Sequence, residues 1–445
     1  MYRTMVALLL LVLACVPRAD EEAAQMVGSG AHVQITYWDL PQWRGLFGHA
    51  IDQRQPYDVW PRRKIAEFEA MHPKVRVHFL LLPWQDEKIK LEMALAAGRP
   101  PTVAYRNARE IPRLVARGVL EAIDDDLRPT DLADIPDFVW QRVNVGDHKY
   151  GWPWFMSTTA LAVNLDLFRE AGALHLLPRN AEKSWTVDQF LVAARAVTRD
   201  TSGDGQPDVY ALPLFGVDNH FLYDAFLAGH GILSKFNDAE TQCTLLRPEA
   251  ITVLQFLADL LRKYRVAYPG AAGLKYTDAY TLFLQQKVAM FPGGMWMLSA
   301  IGAQAPEPFD YTFVQFPHWP GYRSYATAML AAYVIFKQDD PRARDAAMRF
   351  ARYLTSTRNA IAVTGNSTFP VRRSCGNPYY GDARFDVFRH YMRFSIPEPH
   401  KPHSQKIEDL SMPLYQAVFS GVPPKQALAE YVRQVNAVLA AERLD

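Results

Sequence analysis

The stretch VAMFPGGMW, residues 288–296, ends an apolar run in two adjacent glycines and sets a tryptophan just past them. Two chemistries suit that order. The glycines turn the chain so that Trp296 fills a core, or they bare the backbone beside an indole face that a ligand covers. A second aromatic run, YGWPWF at 150–155, and a total of ten Trp and 21 Tyr supply many flat faces of this kind. Motifs for covalent chemistry are missing. There is no Gly-Lys dipeptide, hence no phosphate-cradling loop of the usual form, and no G-x-S-x-G, H-E-x-x-H or C-x-x-C. His400 and His403 sit in a proline-broken loop and read as solvated, not as metal ligands. The loop DTSGDGQPD, residues 200–208, imitates the first half of a calcium loop, but Ala211 stands where a bidentate carboxylate belongs. A turn held by Asx bonds is the expectation there. No carboxylate pair stands out as an acid/base couple. Binding without a cofactor, metal or covalent step is therefore expected.

Elements must position these residues. Alternation predicts strands in HVQITYWDL (32–40), KVRVHFLLLPW (74–84) and TVAYRN (102–107), with Trp38-Asp39 and Pro83-Trp84 at strand ends. Between them PRRKIAEFEAMHP (61–73) carries Ile65, Phe68 and Met71 at helical spacing, with Pro73 as a stop, and DEKIKLEMALAAGRPP (86–101) is a helix with a glycine stop. Strand and helix alternate, which gives an α/β fold with an open, mostly parallel sheet whose strand ends converge on one edge. The segment from Tyr150 breaks the rhythm: the aromatic run leads into extended ALAVN and then a helix. In SWTVDQFLVAARAVTRD (184–200), Trp185 precedes the cap-like Thr186. Helices dominate 248–302, strands return in FDYTFVQFPHWPG and AMLAAYVIFK, and the tail from Phe385 is helical with breaks near Pro397 and Pro423.

A chain of 445 residues can form two domains, and a net charge of +1 with scattered Lys and Arg gives no support for nucleic-acid binding. At the start, MYRTMVALLLLVLAC places Arg3 before an apolar run too short to span a bilayer. It reads as a secretory signal, and its end at Leu13-Ala14-Cys15 is close to a bacterial lipobox. Residues 1–15 are then a lipoprotein signal peptide, Cys15 a lipidated anchor and 16–30 a polar tether. Cys243 and Cys375 are left as either a disulfide or two buried thiols.

The segments VQITYWD, FEAMHPKVRVHFLLLPWQD, ALAAGRPPTVAY, YGWPWFMSTTALAVNLDLFREAGA, SWTVDQF, RDTSGDGQPDVYAL, VAMFPGGMWML and NSTFPVRRS follow one another in a telling order. Over roughly 31–445 the chain resembles the extracellular solute-binding proteins of bacterial ABC importers, in the group that includes the maltose-binding protein. The resemblance implies two α/β lobes of type II-like arrangement joined by crossing strands, with ligand between them. Lobe 1 would take 31–145 and 310–372, and lobe 2 would take 146–309 and 373–445. It also implies a carbohydrate ligand, permease subunits as partners, a monomer, and an exported, membrane-anchored location. Trp296 matches a tryptophan that stacks on a sugar, within Gly293-Gly294-Met295-Trp296. Trp38 and Asp39 match the loop after the first strand, Asn107, Arg109 and Glu110 the loop after the third, and Phe155, Met156 and Ser157 the crossing segment. Trp84 and Arg372 complete the candidate contacts. Trp60, Trp140 and Trp319 read as structural, whereas Trp152, Trp154 and Trp185 suit either role. Flat aromatics fit the C–H faces of a pyranose, and planar polar groups fit its hydroxyl rim. Glycerol 3-phosphate or its diesters, a polyamine or a metal chelate are alternatives within the fold, with Arg109 and Arg372 available to a phosphate. A secreted glycoside hydrolase is the alternative of a different class.

Overall fold

The computed structural model of the chain describes residues 32–41, 46–47, 50–51, 56–84, 86–217, 220–237, 239–393, 395–397 and 404–441. Cys15, the signal and the tether lie outside the described residues. Strand β1 (Val33–Asp39) turns Ile35, Tyr37 and Asp39 inward at every second position. Helix α1 (Val59–Met71), β2 (Val75–Leu81), α2 (Glu87–Ala96) and β3 (Val103–Asn107) continue the alternation read from the sequence. β1 runs parallel to β2 from Val33 opposite Val75 to Asp39 opposite Leu81, and parallel to β3. The C-terminal ends of all three strands therefore share one edge.

Strand β4 (Trp152–Asn164) is 13 residues long and buried throughout. A strand buried along its whole length needs cover on both faces. Helix α3 (Val187–Val197) opens on a capping box: Thr186 Oγ1 accepts from the Gln189 amide at 3.3 Å, and the Thr186 amide donates to Gln189 Oε1 at 2.9 Å. There follow α4 (Pro248–Arg262), α5 (Tyr276–Leu284), β5 (Met290–Gly294), α6 (Met297–Gln304), β6 (Tyr311–Val314) and β7 (Ala326–Ile335). The chain closes with α7 (Pro341–Leu354), β8 (Phe369–Pro370), β9 (Ser395–Pro397), α8 (Ser404–Ser420) and α9 (Pro424–Ala441). Among the described residues, no helix is long and apolar enough to cross a membrane.

Nine strands of the described chain form one sheet in the order β5-β4-β7-β3-β1-β2, with β6 and β8 on β4 and β9 on β7. Parallel pairing is confined to β1, β2 and β3 and to β9 on β7; β4 and β7 are antiparallel to each other, and β7 is antiparallel to β3. Pro153 has no N–H to give the ladder. It lies beside a bulge, with Trp154 the extra residue between the pairs Phe155–Ala331 and Pro153–Ala332.

Buried apolar side chains form two clusters. One holds Ile35, Tyr37, Trp152 to Met156, Ala328, Leu330 to Phe336 and the inner face of α7. The other holds Ala160 to Val163, Phe190, Phe291, Phe313, Ala326, Tyr415 and Leu428. Both β4 and β7 pass from one cluster to the other. The break falls on Ser157, Thr158 and Thr159 in β4 and on Thr327 in β7, all buried. Thr159 and Thr327 join their hydroxyls at 3.1 Å, and the Thr327 amide donates to Thr159 Oγ1 at 3.2 Å. A seam of hydroxyls thus lies between two apolar cores. Trp60, Trp140, Trp152, Trp154 and Trp185 are buried in those cores, and the Trp185 indole donates to the Gln315 carbonyl at 2.8 Å. Cys243, buried in the second core, and half-buried Cys375 are free thiols.

Candidate functional site

Gly293 and Gly294 close β5 against β4, opposite Ala160 and Thr159. Neither has a positive φ, so turning is not their purpose. A Cβ at Gly294 would overlap the six-membered ring of Trp296, and one at Gly293 would overlap Sδ of Met297. The space above the glycines is filled by the chain's own next residues. This answers the first question of the sequence: the indole folds back flat onto bare backbone and remains half-buried. Trp296 Nε1 donates to the Tyr276 hydroxyl at 3.3 Å, and burial pushes that hydroxyl up to about 12. Tyr276 in turn packs edge-on against Phe215 and Phe291, so a ring cluster supports the indole from the second core.

Side chains opposite one another in a ladder share a face, and the faces alternate along each strand. Gly294 is opposite Thr159, Thr159 meets Thr327, Ser157 is opposite Met329, and Phe155 is opposite Ala331. Ala331 is opposite Asn107, which shares its face with Tyr105. One face of the sheet therefore carries the Trp296 ring, Thr159, Ser157, Phe155, Asn107 and Tyr105 in sequence. Phe155 and Tyr105 stack with centroids 6.2 Å apart, and Trp84, half exposed beyond β2, meets Tyr105 edge-on at 6.3 Å. The Ser157 hydroxyl is buried and has no hydrogen-bond partner among the described residues. It is a polar atom at the seam between the cores, flanked by aromatic residues from each.

The remaining candidates lie elsewhere. Trp38 registers with Ala104 on the opposite face, half-buried, while Met156 is opposite Leu330 in the first core and Met295 is buried in the second. Asp39 shares the Tyr105 face but is sealed beneath it. Its Oδ2 accepts from the Tyr37 and Tyr333 hydroxyls, the latter at 3.2 Å, and its Oδ1 accepts from the Leu40 amide at 2.8 Å. Burial, together with the Asp39 charge, raises both tyrosines well above their usual range. Asn107 Oδ1 accepts from the Arg109 amide at 3.2 Å and so caps the turn after β3. Arg109 reaches Glu408 of α8 with 2.6 and 2.7 Å bonds to its two oxygens. Half-buried Glu110 stands near Glu87, whose carboxyl is raised by burial against the pull of Arg106. Arg372 does not join the group. Its fork holds Asp131 at 2.9 Å, Asp134 at 3.0 Å and the Thr355 carbonyl at 2.6 Å inside the first core.

The model of the family described as bacterial extracellular solute-binding protein matches residues 64–379. The chain belongs to that family. Its members are exported binding proteins, and this solute-binding protein has relatives across the same length. A binding protein of Brucella abortus (strain 2308) is 22% identical over 380 residues, 84% of this chain and 88% of its own. An uncharacterised lipoprotein of Streptomyces antibioticus is 23% identical over 258 residues, 58% of this chain and 55% of that one. Among solved structures, an ABC transporter solute-binding protein from Thermotoga lettingae, bound with α-D-tagatose, superposes with a TM-score of 0.76 at 24% identity, covering 91% of this chain and 99% of that one. A maltotriose-binding protein of Thermus thermophilus, bound with maltotriose, gives 0.72 at 20% identity, covering 91% and 100%. The fold is thus the two-lobed α/β architecture of the maltose-binding-protein group, and the two apolar cores are its lobes.

Sequence reasoning missed Tyr105, Thr159, Tyr276 and Glu408. Tyr105 was within reach, because period-two alternation from Asn107 leads directly to it. Glu408 carried no local signal, since 299 residues separate it from Arg109. In the solute-binding protein the loop at 200–208 is a set of Asx and ST bonds: Asp200 accepts from the Gly203 and Gly205 amides at 2.6 and 2.8 Å, and Asp208 accepts from the Thr201 and Ser202 amides at 2.7 Å. Those bonds, with the Thr201 hydroxyl, hold Asp208 down to about 2. Among the described residues no group of three or more His, Cys, Asp and Glu is placed to hold a metal ion.

Proposed function

We propose that this protein captures a carbohydrate between its lobes and delivers it to the permease of an ABC importer. The carrying observation is the single sheet face on which Trp296 from one lobe and Phe155, Tyr105 and Trp84 from the other flank the unpartnered Ser157 hydroxyl. Aromatic faces take the C–H surface of a sugar ring, and Ser157 and Asn107 take hydroxyls. Relatives bound with α-D-tagatose and maltotriose support the same class. Phe155 and Thr159 stand four residues apart on one strand, about 13 Å, which suits a mono- to oligosaccharide lying along it. Arg109 and Arg372, which a glycerol phosphate would use, both face carboxylates, and this favours a neutral ligand.

The mechanism is hinge closure. Lobe 1 comprises the chain to β4 together with the β7-to-β8 segment, lobe 2 comprises the remainder, and the exchange occurs at the hydroxyl seam. Sugar bridging the two lobes stabilises the closed state by its greater affinity for it. No covalent step is involved. A lipidated Cys15 tethers the monomer to the outer face of a membrane, leaving the lobes free to meet the permease.

The test is a thermal-shift and intrinsic tryptophan fluorescence screen against mono- and oligosaccharides, with glycerol 3-phosphate and chromogenic glycosides alongside. A sugar that raises the melting temperature and perturbs tryptophan emission supports the reading. Response to glycerol 3-phosphate alone, or turnover of a glycoside, overturns it.

A further inference from the structure

The lobes are also joined by charge, through side chains outside the crossing strands. Arg109 follows β3 in lobe 1. Glu408 lies on α8, whose Ile407, Leu414 and Tyr415 belong to the core of lobe 2. Arg109 Nη1 donates to both Glu408 oxygens, at 2.6 and 2.7 Å, with the side chains only 22% and 17% exposed. The next residue, Asp409, faces Lys88 of α2 at 3.9 Å, a more exposed contact. Two successive acids on one helix thus meet cations from two separate segments of the other lobe. On its own side Glu408 lies in the field of Lys235, which pairs with Asp224 at 2.6 Å.

We propose that Arg109–Glu408, with Lys88–Asp409 at its rim, is a clasp that draws the lobes together in the absence of ligand. The inference rests on the two-lobe division, not on the identity of the sugar. Ion pairs of this partial burial are screened less than surface pairs but still respond to salt. The clasp shifts the closed-to-open ratio of the free protein by about tenfold, equivalent to about 1.4 kcal/mol. Solute then meets a population already biased toward closure, and its entry requires the clasp to release first. Removing the clasp accelerates capture and loosens retention.

Small-angle scattering from the full chain without ligand tests this directly. The wild type at low salt should have a smaller radius of gyration than Glu408→Gln, and 1 M salt should expand the wild type toward the variant. The doubly reversed Arg109→Glu, Glu408→Arg protein should recover the compact form. Equal radii for wild type and Glu408→Gln at low salt, or a reversed pair that scatters like the single variant, overturns the clasp. If Glu408→Gln does not fold, the salt series on wild type and on Lys88→Gln decides, because a clasp predicts salt-driven expansion in both, and a salt-independent wild-type radius refutes it. None of these readouts contains a sugar. Failure here leaves the carbohydrate reading standing, and failure of the sugar screen leaves the clasp standing.

Discussion

Gly294→Ala separates a ring held for packing from a ring held for a ligand. The new Cβ falls within the six-membered ring of Trp296, so one of the two must move. β5 is fixed to β4 by its ladder, whereas the indole is half-buried and held by packing and a 3.3 Å bond to Tyr276. The ring moves. Overpacking costs about 1–3 kcal/mol and the lost hydrogen bond about 1. Alanine in a strand recovers about 0.5–1 of that over glycine. The net loss is about 2 kcal/mol, or roughly 4–8 °C in a lobe of this size, and the fold survives. Sugar affinity should fall far more than a simple stability loss implies. A displaced indole forfeits a stacking surface worth about 1.5–3 kcal/mol, or about 10- to 100-fold in Kd. Gly293→Ala is the control. Its Cβ strikes Met297, on the opposite face and inside the core, so it should lower the melting temperature similarly while leaving Kd within about threefold. Calorimetric titration of both variants with whichever sugar stabilises the wild type decides the matter. If Gly294→Ala binds as well as Gly293→Ala, the Trp296 ring does not touch the ligand.

Ser157→Ala should leave the free protein as stable or slightly more so in urea, because it removes a buried hydroxyl that has no partner. It should weaken sugar binding by about tenfold; an unchanged Kd would place Ser157 outside the site. Arg372→Met takes from the buried Asp131 the closer of two arginine partners, leaving Arg352 at 3.3 Å, and should cost about 2 kcal/mol of stability, with Kd unchanged at temperatures below melting; lost affinity without lost stability would return Arg372 to the site. Burial raises the Glu67 carboxyl, yet bonds from Lys64, Tyr353 and Arg63 bring it down to about 2. A depressed carboxylate contributes stability that is present above its unfolded pKa of about 4.3 and is lost as pH falls through about 2. With Glu67 29% exposed, that contribution is about 1 kcal/mol, and Glu67→Gln should flatten the urea midpoint between about pH 4.5 and 2. A wild-type slope in Glu67→Gln would assign the acid sensitivity to other groups.

β1 and β2 were legible because each buries one face, and period two survives in any such strand; β3, buried on both faces, was legible from its place in the strand–helix alternation. The family order of segments carried the rest of the architecture. β4 was harder. All 13 of its residues are buried, so the sequence shows no alternation from which to read a face, and its register comes only from pairing with β5 and β7. For that reason Phe155, Met156 and Ser157 entered as one block, although Met156 points to the opposite face. Trp38 and Asp39 entered together in the same way, although adjacent residues of a strand cannot line one surface. Arg372 looked available because arginine in a polar loop usually is. Asp131 and Asp134 are some 240 positions distant in sequence, and nothing local announces them.

In the hinge proposed above, site and pivot meet at the hydroxyl seam. Residues on one strand cannot move far relative to each other, so a site built wholly on β4 would not sense closure. Trp296, however, is carried by β5 on the lobe-2 half of β4, at Thr159. Tyr105 and Asn107 are carried by β3, which joins β7 on the lobe-1 half, opposite Tyr333 and Ala331. Bending at Ser157–Thr159 and Thr327, as proposed, would swing those two groups about a centre at Ser157. An interlocked apolar core at that point would set the angle rigidly. Short hydroxyl side chains, able to exchange partners, do not. Thr327→Val puts hydrocarbon of the same shape into the seam while Thr159 Oγ1 still accepts from the Thr327 amide, so the free protein should keep about its stability in urea. It should slow sugar association, measured by stopped-flow tryptophan fluorescence. Unchanged or faster association would show that the bend lies elsewhere.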